Sequence, residues 1–163
     1  MNIRKIDLVK DRQTLLEFHC TTNYTSAVPV VRRVYTSEQF REIWMKSRGP
    51  EEFISALANS MKDQRTIAEF WENGDTVAAY VWVIFHDWPD YHDIDAEIND
   101  ILVAPEFQRR GIATQMIKHV EDLARERGAT VLRSGTGIEN MASRELHAKL
   151  GFQVSRVEFE KEI

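Results

Sequence analysis

The sequence is poor in cysteine, in long apolar runs and in positive charge, and each shortage argues against a class of protein. Cys20 is the single cysteine, so no internal disulfide can form. No segment approaches the ~20 apolar residues of a membrane-spanning helix, and no apolar region follows the charged N-terminus as in a signal peptide. The formal net charge of −5 argues against a nucleic-acid partner. We expect a cytoplasmic protein with neither a membrane nor a nucleic-acid partner.

The chain also lacks repeats, low-complexity tracts and any Pro- or Gly-rich linker that would divide it. A length of 163 residues fits one domain and is sufficient to bury a sizeable core. The hydrophobic content of 43% and the charged content of 29% are ordinary for a globular protein. We therefore expect residues 1–163 to form a single domain.

Hydrophobic spacing predicts an α/β fold with the element order β-α-(α-α)-β-β-β-α-β-α-β. Asn73-Gly74 lies between apolar runs and predicts a β-hairpin with a type I′ turn. Its second arm, residues 76–85, is apolar enough for a central strand covered on both faces. Residues 21–34 are interpreted as a loop with some extended structure that could face a substrate, and Phe152 to Ile163 as a final strand. The sheet should be mixed.

Local signals also predict where several helices begin and end. Thr36 and Gln39 stand in the capping-box relation, which marks the start of a helix. Gly49-Pro50 ends one helix and starts another, because proline is well tolerated at the first helical position. The longest regular apolar face ends at Gly128, a C-terminal capping residue. That face consists of Ile112, Met116, Ile117, Val120, Leu123 and Ala124.

The segment from Gln108 to Ala113 carries two arginines and a glycine between an apolar run and this helix. The first N–H groups of a helix have no intrahelical partner, and the helix dipole adds partial positive charge there. Gly111 has no Cβ that would keep an anion away from those amides. The segment therefore predicts an anion-binding turn. An ordinary loop with solvated arginines is the alternative interpretation.

Together with residues further along, this turn resembles the signatures of the GCN5-related N-acetyltransferase (GNAT) superfamily. The acetyl-CoA signature Gln/Arg-x-x-Gly-x-Gly/Ala is matched by Gln108, Arg109, Arg110, Gly111, Ile112 and Ala113. A later Asn–helix–Gly-Phe signature is matched by Asn140, Leu146, Leu150, Gly151 and Phe152. The resemblance covers roughly residues 96–159, whereas residues 1–65 carry almost none of it.

The resemblance implies a fold and a co-substrate. The fold is a mixed, mostly antiparallel twisted sheet flanked by helices and splayed between the strands carrying Val103 and Val131. The co-substrate is acetyl-CoA, and no metal is implied. The turn amides would hold the CoA pyrophosphate, and the backbone of Leu102 and Val103 would accompany the pantetheine arm. The residues implied in cofactor binding are Leu102, Val103, Gln108, Arg109, Arg110, Gly111, Ile112, Ala113, Thr114 and Asn140.

Glu97 is the candidate general base. It lies fourteen residues before Gly111, as does the catalytic glutamate in the histone-acetylating branch of the family. A carboxylate there could accept the proton of an amine nucleophile. The strand period of two places Asn99 on the face of Glu97 and Asp100 on the opposite one, although the bulge usual in this family would change that parity. A structural, ion-paired glutamate is the alternative.

His147 is the candidate general acid. Many family members have a tyrosine five residues before the Phe of Gly-Phe, where it protonates the leaving thiolate, and this chain has His147 instead. A histidine can donate a proton near neutral pH. His147 could equally be a partly exposed helix residue, and Asn140 could cap its helix.

We expect an acetyl-CoA-dependent N-acetyltransferase that acts on a primary amine by direct transfer. The alternatives are a non-catalytic acyl-CoA-binding or regulatory module, or an enzyme that uses a longer acyl-CoA. An acidic stretch would suit a cationic amine such as a polyamine, an aminoglycoside or a lysine side chain, but it could also be a solvated loop. It consists of Asp87, Asp90, Asp93, Asp95 and Glu97. The possibility of a homodimer is left open.

Overall fold

The computed structural model describes residues 1–161 and 163. Within them, the strands are β1 (Asn2–Lys5), β2 (Ile67–Asn73), β3 (Thr76–Trp88), β4 (Asp93–Val103) and β5 (Val131–Ser134). The helices are α1 (Arg12–Ser26), α2 (Pro29–Val34), α3 (Ser37–Lys46), α4 (Gly49–Ser60), α5 (Ile112–Glu126) and α6 (Met141–Lys149). No helix of this part of the chain is long and apolar enough to cross a membrane.

The strands form one sheet in the spatial order β1-β2-β3-β4-β5. The first four pair antiparallel, and β5 pairs parallel to β4, as expected for strands joined through α5. The expected mixed, mostly antiparallel sheet is therefore confirmed. The apolar strand β3 lies at its centre, where its residues 78–83 are buried.

Each face of the sheet is covered by its own hydrophobic cluster. One face packs on α5, whose buried residues include Met116, Ile117 and Val120. The other face carries Phe70, Tyr80 and Trp82 and packs on α1 and α4. The helices that follow β1 therefore lie on the opposite face of the sheet from α5.

The β4–β5 ladder is short, and this produces the expected splay. It runs from the Asp95–Val131 pair to the Ile98–Ser134 pair, whereas β4 continues to Val103. Beyond Ile98, the edge of β4 that faces β5 has no partner strand among the described residues. The chain after β5 turns away into α6 and leaves a gap beside the end of β4.

A β-bulge in β4 changes the direction of its side chains. Trp82 pairs with Asp100, but the next residue, Val83, pairs with Ile98, so Asn99 is the extra residue. The expectation that Asp100 lies on the face opposite Glu97 was therefore wrong. Both side chains point to the face covered by α1 and α4, and Asn99 is exposed.

The β2–β3 hairpin is confirmed, but its turn is not of the predicted kind. Asn73 pairs with Thr76, so the central residues are Gly74 and Asp75. Only Gly74 has a positive φ, of 61°, which fits a type II′ turn rather than type I′. Asn73 therefore lies in the strand and not at a central position of the turn.

Two segments differ from the expected secondary structure. Residues 21–34 are mostly helical, because Pro29 starts α2 instead of interrupting a helix, and the Thr21 and Thr22 hydroxyls bond to carbonyls one turn earlier. Residues 152–161 and 163 form neither helix nor strand, and Glu162 lies outside the described residues. Phe152 packs on the core, but the apolar side chains of Val154, Val157, Phe159 and Ile163 are exposed and pair with no neighbouring strand of the described residues.

Candidate functional site

The turn before α5 has the geometry of an anion-binding loop. Gly111 is the N-cap of α5 and has a φ of 79°, and Arg109 also has a positive φ, of 63°. No side chain of the described residues caps this helix, so the N–H groups of Ile112, Ala113 and Thr114 are open to a ligand. A Cβ at Gly111 would meet no atom within 4 Å, so the space in front of the turn is open. The turn fits a phosphate group.

Three side chains of the turn, those of Gln108, Arg110 and Ile112, fix its position through contacts with the rest of the protein. Gln108 donates from Nε2 to the Val103 carbonyl at 3.0 Å, and Arg110 donates to the Glu106 carbonyl at 2.8 Å. Ile112, the first residue of α5, is buried in the core. The Arg109 side chain is exposed and has no hydrogen-bonding or ionic partner within the described residues. Arg109 is therefore the side chain of the turn that remains available to a phosphate.

The end of β4 offers a backbone edge to an extended ligand. Leu102 and Val103 pair with Tyr80 and Ala79 of β3 on one side. On the other side they lie beyond the end of the β4–β5 ladder. Backbone groups there can hydrogen-bond an amide-containing chain in the way a strand bonds an added peptide.

Glu97 is an accessible carboxylate beside this gap. It pairs with Ile84 of β3 and with Arg133 of β5, and its side chain is 44% exposed. Its Oε2 lies 3.0 Å from Nε2 of His86, which is exposed to a similar extent. The pair can accept a proton from an amine and pass it to the imidazole or to solvent. The sequence interpretation did not include His86.

A second carboxylate, Asp100, is buried on the same face. Its Oδ2 lies 2.5 Å from Nδ1 of His19 and accepts the Tyr80 hydroxyl, while Oδ1 has no partner within the described residues. Burial raises the pKa of Asp100, and the contact with His19 opposes that shift. The His19 ring stacks on Phe53 at 3.8 Å. Nothing in the sequence links His19 to a residue 81 positions later.

His147 lies on α6, on the far side of the splay. Nδ1 donates to the Ser143 carbonyl at 2.7 Å, because a carbonyl oxygen can only accept. Nε2 lies 2.8 Å from the Ser134 hydroxyl at the end of β5, and the ring packs edge-on against Phe152. In the neutral imidazole, Nε2 therefore accepts from Ser134. His147 can give up a proton at Nε2 only in its charged form.

Asn140 caps α6, as one of its two interpretations predicted. Its Oδ1 accepts from the Ser143 N–H at 3.3 Å. The loop before α6 also touches the other half of the molecule. A Cβ at Gly137 would lie 2.8 Å from the carbonyl oxygen of Ser26 at the end of α1, and Arg32 of α2 lies 3.6 Å from Glu139. The α1–α2 segment thus forms one wall beside the β5–α6 loop.

Four large aromatic side chains that could line a pocket, those of Tyr24, Trp44, Trp82 and Trp88, have different locations. Trp82 is buried in the core and donates to Ser60, and Tyr24 packs against Phe40. Trp44 lies near His19. Trp88 alone of the four is exposed, at the end of β3, where it donates to Asp95.

A model of the Acetyltransferase (GNAT) family matches residues 31–152 of this chain. An uncharacterized N-acetyltransferase from Methanocaldococcus jannaschii is 37% identical over 62 residues, which are 38% of this chain and 27% of that protein. An aminoglycoside N(6')-acetyltransferase type 1 from Acinetobacter baumannii is 36% identical over 70 residues, or 42% of this chain and 48% of that protein. The chain thus matches less than half of the length of either relative.

The fold is also found in a solved structure described as a predicted acetyltransferase with acetyl-CoA from Clostridium acetobutylicum. The TM-score is 0.71 at 18% identity, over 99% of this chain and 95% of that one. At this identity the likeness concerns the fold alone. It extends to the N-terminal residues that carry almost none of the sequence resemblance.

Proposed function

Because the chain belongs to the GNAT acetyltransferase family, we propose that it transfers the acetyl group of acetyl-CoA directly to a primary amine. The observation that carries this proposal is the open turn at Gly111 beside the unpaired edge of β4. Glu97 lies on the same strand as that edge and is accessible. We further propose that residues 1–163 act as one domain, which the clusters on the two faces of a single sheet support.

The same geometry suggests how acetyl-CoA is held. The N–H groups at the start of α5 and the Arg109 side chain bind the pyrophosphate. Gln108 and Arg110 keep the turn in place, and Ile112, Ala113 and Thr114 begin the helix that supplies the amides. The backbone of Leu102 and Val103 bonds the pantetheine arm. Asn140 still has its side-chain N–H₂ for the ligand, because its oxygen caps α6.

Glu97 then acts as the base. The amine loses a proton to the Glu97 carboxylate, directly or through water, and its nitrogen forms a bond to the acetyl carbon as the carbon–sulfur bond breaks. His86, bonded to Oε2, holds this carboxylate and can take the proton onward. The leaving thiolate takes a proton from solvent, or from His147 when its imidazole is charged.

A cationic acceptor fits the surroundings of Glu97. Asp93 and Asp95 precede it on β4. The aminoglycoside N(6')-acetyltransferases among the relatives support a small cationic amine as the acceptor class.

The release of free thiol from acetyl-CoA over a panel of primary amines tests the proposal. We expect turnover that depends on both substrates. If acetyl-CoA raises the temperature of unfolding but no amine is acetylated, the chain is a non-catalytic acyl-CoA-binding module and the proposal is wrong. Repeating the assay with longer acyl-CoA donors tests the third possibility, a preference for a larger acyl group.

A further inference from the structure

Beyond Glu97, the same sheet face continues into a cleft at the end of the β3–β4 hairpin. The cleft has a volume of about 270 Å³ and is lined by Trp88, Tyr91, Asp93, Asp95 and Arg133. Asp95 is paired with His86 of β3 and lies two residues before Glu97 on β4. Since side chains two residues apart on a strand lie about 6–7 Å from each other, this cleft adjoins the proposed base.

Asp95 is a buried carboxylate that is only half satisfied. It is 2% exposed, and its Oδ2 accepts from Nε1 of Trp88 at 3.1 Å and from Nε of Arg133 at 2.5 Å. Its Oδ1 is buried and has no hydrogen-bond partner within the described residues. A buried carboxylate oxygen without a donor is costly, so a cationic donor from a ligand would be strongly favoured there.

The charges around the cleft do not balance. Arg133 is the single guanidinium among the described residues that line the cleft, and its pKa is raised by its hydrogen bond to Asp95 and further by the charges of Glu97 and Asp93. Two carboxylates, Asp93 and Asp95, therefore line the cleft with one cation, and Glu97 adjoins it on β4. The hydrogen bonds that Asp93 accepts from Thr130 and from the backbone N–H of Ile94 both fall on one of its oxygens and bring no charge. The net charge of the side chains around the cleft is therefore negative.

Two aromatic rings lie at the mouth of the cleft. Trp88 is 48% exposed and Tyr91 is 79% exposed. The face of an aromatic ring attracts an ammonium group, most strongly in the case of tryptophan. Trp88 and Arg133 cover Asp95, and about half of each side chain is exposed, so either can turn aside to admit a ligand.

We propose that the acceptor carries a second cationic group, and that this cleft binds its ammonium between Asp95, Trp88 and Tyr91 while the reacting amine lies at Glu97. The inference rests on the proposed function and narrows its substrate class to small diamines and polyamines. The spacing between Asp95 and Glu97 suits a chain of about four to six carbons between the two nitrogens. A monoamine of equal length would lack the second contact.

The first test compares diaminohexane with hexylamine as acceptors. We expect a kcat/KM ratio of about tenfold or more in favour of the diamine, since an added charged contact in a partly enclosed site has that effect. Asp95→Asn should bring the ratio close to one. Asp75→Asn, in the exposed β2–β3 turn, is the matched control and should keep the wild-type ratio. The inference is wrong if wild type shows no diamine preference, or if Asp95→Asn preserves it.

A second test does not depend on turnover and uses calorimetric titration of diaminohexane and hexylamine into the protein. The diamine should bind several-fold more tightly, and Trp88→Leu should weaken its binding while retaining the charge of Asp95. Because Trp88 is half exposed, this variant tests the cleft even if Asp95→Asn fails to fold. Selective diamine binding without acetylation of any amine would contradict the proposed acetyltransferase function but not the binding of an ammonium in the cleft. Equal binding of the two amines, or unchanged diamine binding in Trp88→Leu, would contradict the proposed role of the cleft.

Discussion

Glu97 is the most accessible of the three carboxylates Asp95, Glu97 and Asp100, which share one face of the sheet, because 44% of its side chain is exposed. Its partner His86 lies 3.0 Å away, whereas Asp100, on the same face, is buried against His19 and Tyr80. We predict that Glu97→Gln lowers kcat for amine acetylation about hundredfold, because general base catalysis typically contributes that much or more. Thiol release measures it, and the exposed Glu126→Gln is the control. An unchanged kcat would mean that Glu97 is structural.

Gly111 and Gly74 make a matched pair for the donor site. Both have a positive φ, of 79° and 61°, and a Cβ at either would meet no atom within 4 Å. Alanine at each should therefore cost about 1 kcal/mol of unfolding free energy from backbone strain alone. We predict that only Gly111→Ala also weakens CoA binding, by several-fold, because its Cβ projects in front of the α5 amides. Denaturant unfolding and CoA titration separate the two effects. Equal CoA affinity in both variants would contradict the anion-binding turn.

Single residues could be predicted from the sequence where the interaction is local. The turn around Gly111 and the cap at Asn140 depend on neighbours a few residues away, and both stand where the sequence placed them. The contact of His19 with Asp100 spans 81 positions and depends on one extra residue in β4, Asn99. A period of two cannot reveal that residue, and so the buried carboxylate was assigned to the wrong face.

Whole elements followed the sequence where their ends carry capping signals. The capping box of Thr36 and Gln39 starts α3, and Gly49-Pro50 opens α4. Within residues 21–34 the one such signal is Pro29, which starts α2, and threonines and valines have low intrinsic helix propensity. They are nevertheless mostly helical, because α1 starts at Arg12, packs Leu15, Leu16 and Phe18 on the sheet face and continues to Ser26. The terminal segment shows the reverse, because its strand-like pattern finds no partner edge among the described residues.

The contact between α1 and the loop before α6 requires a glycine. A Cβ at Gly137 would lie 2.8 Å from the Ser26 carbonyl oxygen, and the obstacle is backbone, which cannot rotate away. We predict that Gly137→Ala lowers the free energy of unfolding by about 1–3 kcal/mol, as overpacking typically does. In Gly135→Ala, two residues away, the Cβ meets nothing within 4 Å, so stability should change little. Denaturant melts of both variants provide the measurement. Equal stability would show that the two segments separate freely.

At the scale of the whole molecule, the contribution of a carboxylate to stability changes with acid in a direction that depends on whether folding lowers or raises its pKa. Hydrogen bonds and cations lower the pKa of a group of carboxylates, so the stability that they contribute is lost as the pH falls through their folded pKa values. This group comprises Asp7, Asp11, Glu17, Asp63, Glu72 and Asp87. Burial raises the pKa of Asp100 above its ordinary value of 3.8, so the folded protein binds that proton more tightly than the unfolded chain. The contribution of Asp100 to the free energy of unfolding therefore increases as the pH falls towards that ordinary value.

Two isosteric variants should move the pH dependence of stability in opposite directions. Asp100→Asn removes a contribution that rises on acidification, so its free energy of unfolding should fall more steeply than that of wild type between neutral pH and about pH 4. Asp87→Asn removes a carboxylate whose pKa is lowered by Arg65, so its free energy should fall less steeply. Urea melts across this range measure both slopes. If the slope of unfolding free energy against pH changes in the same direction in both variants, then His19, and not burial, controls the charge on Asp100.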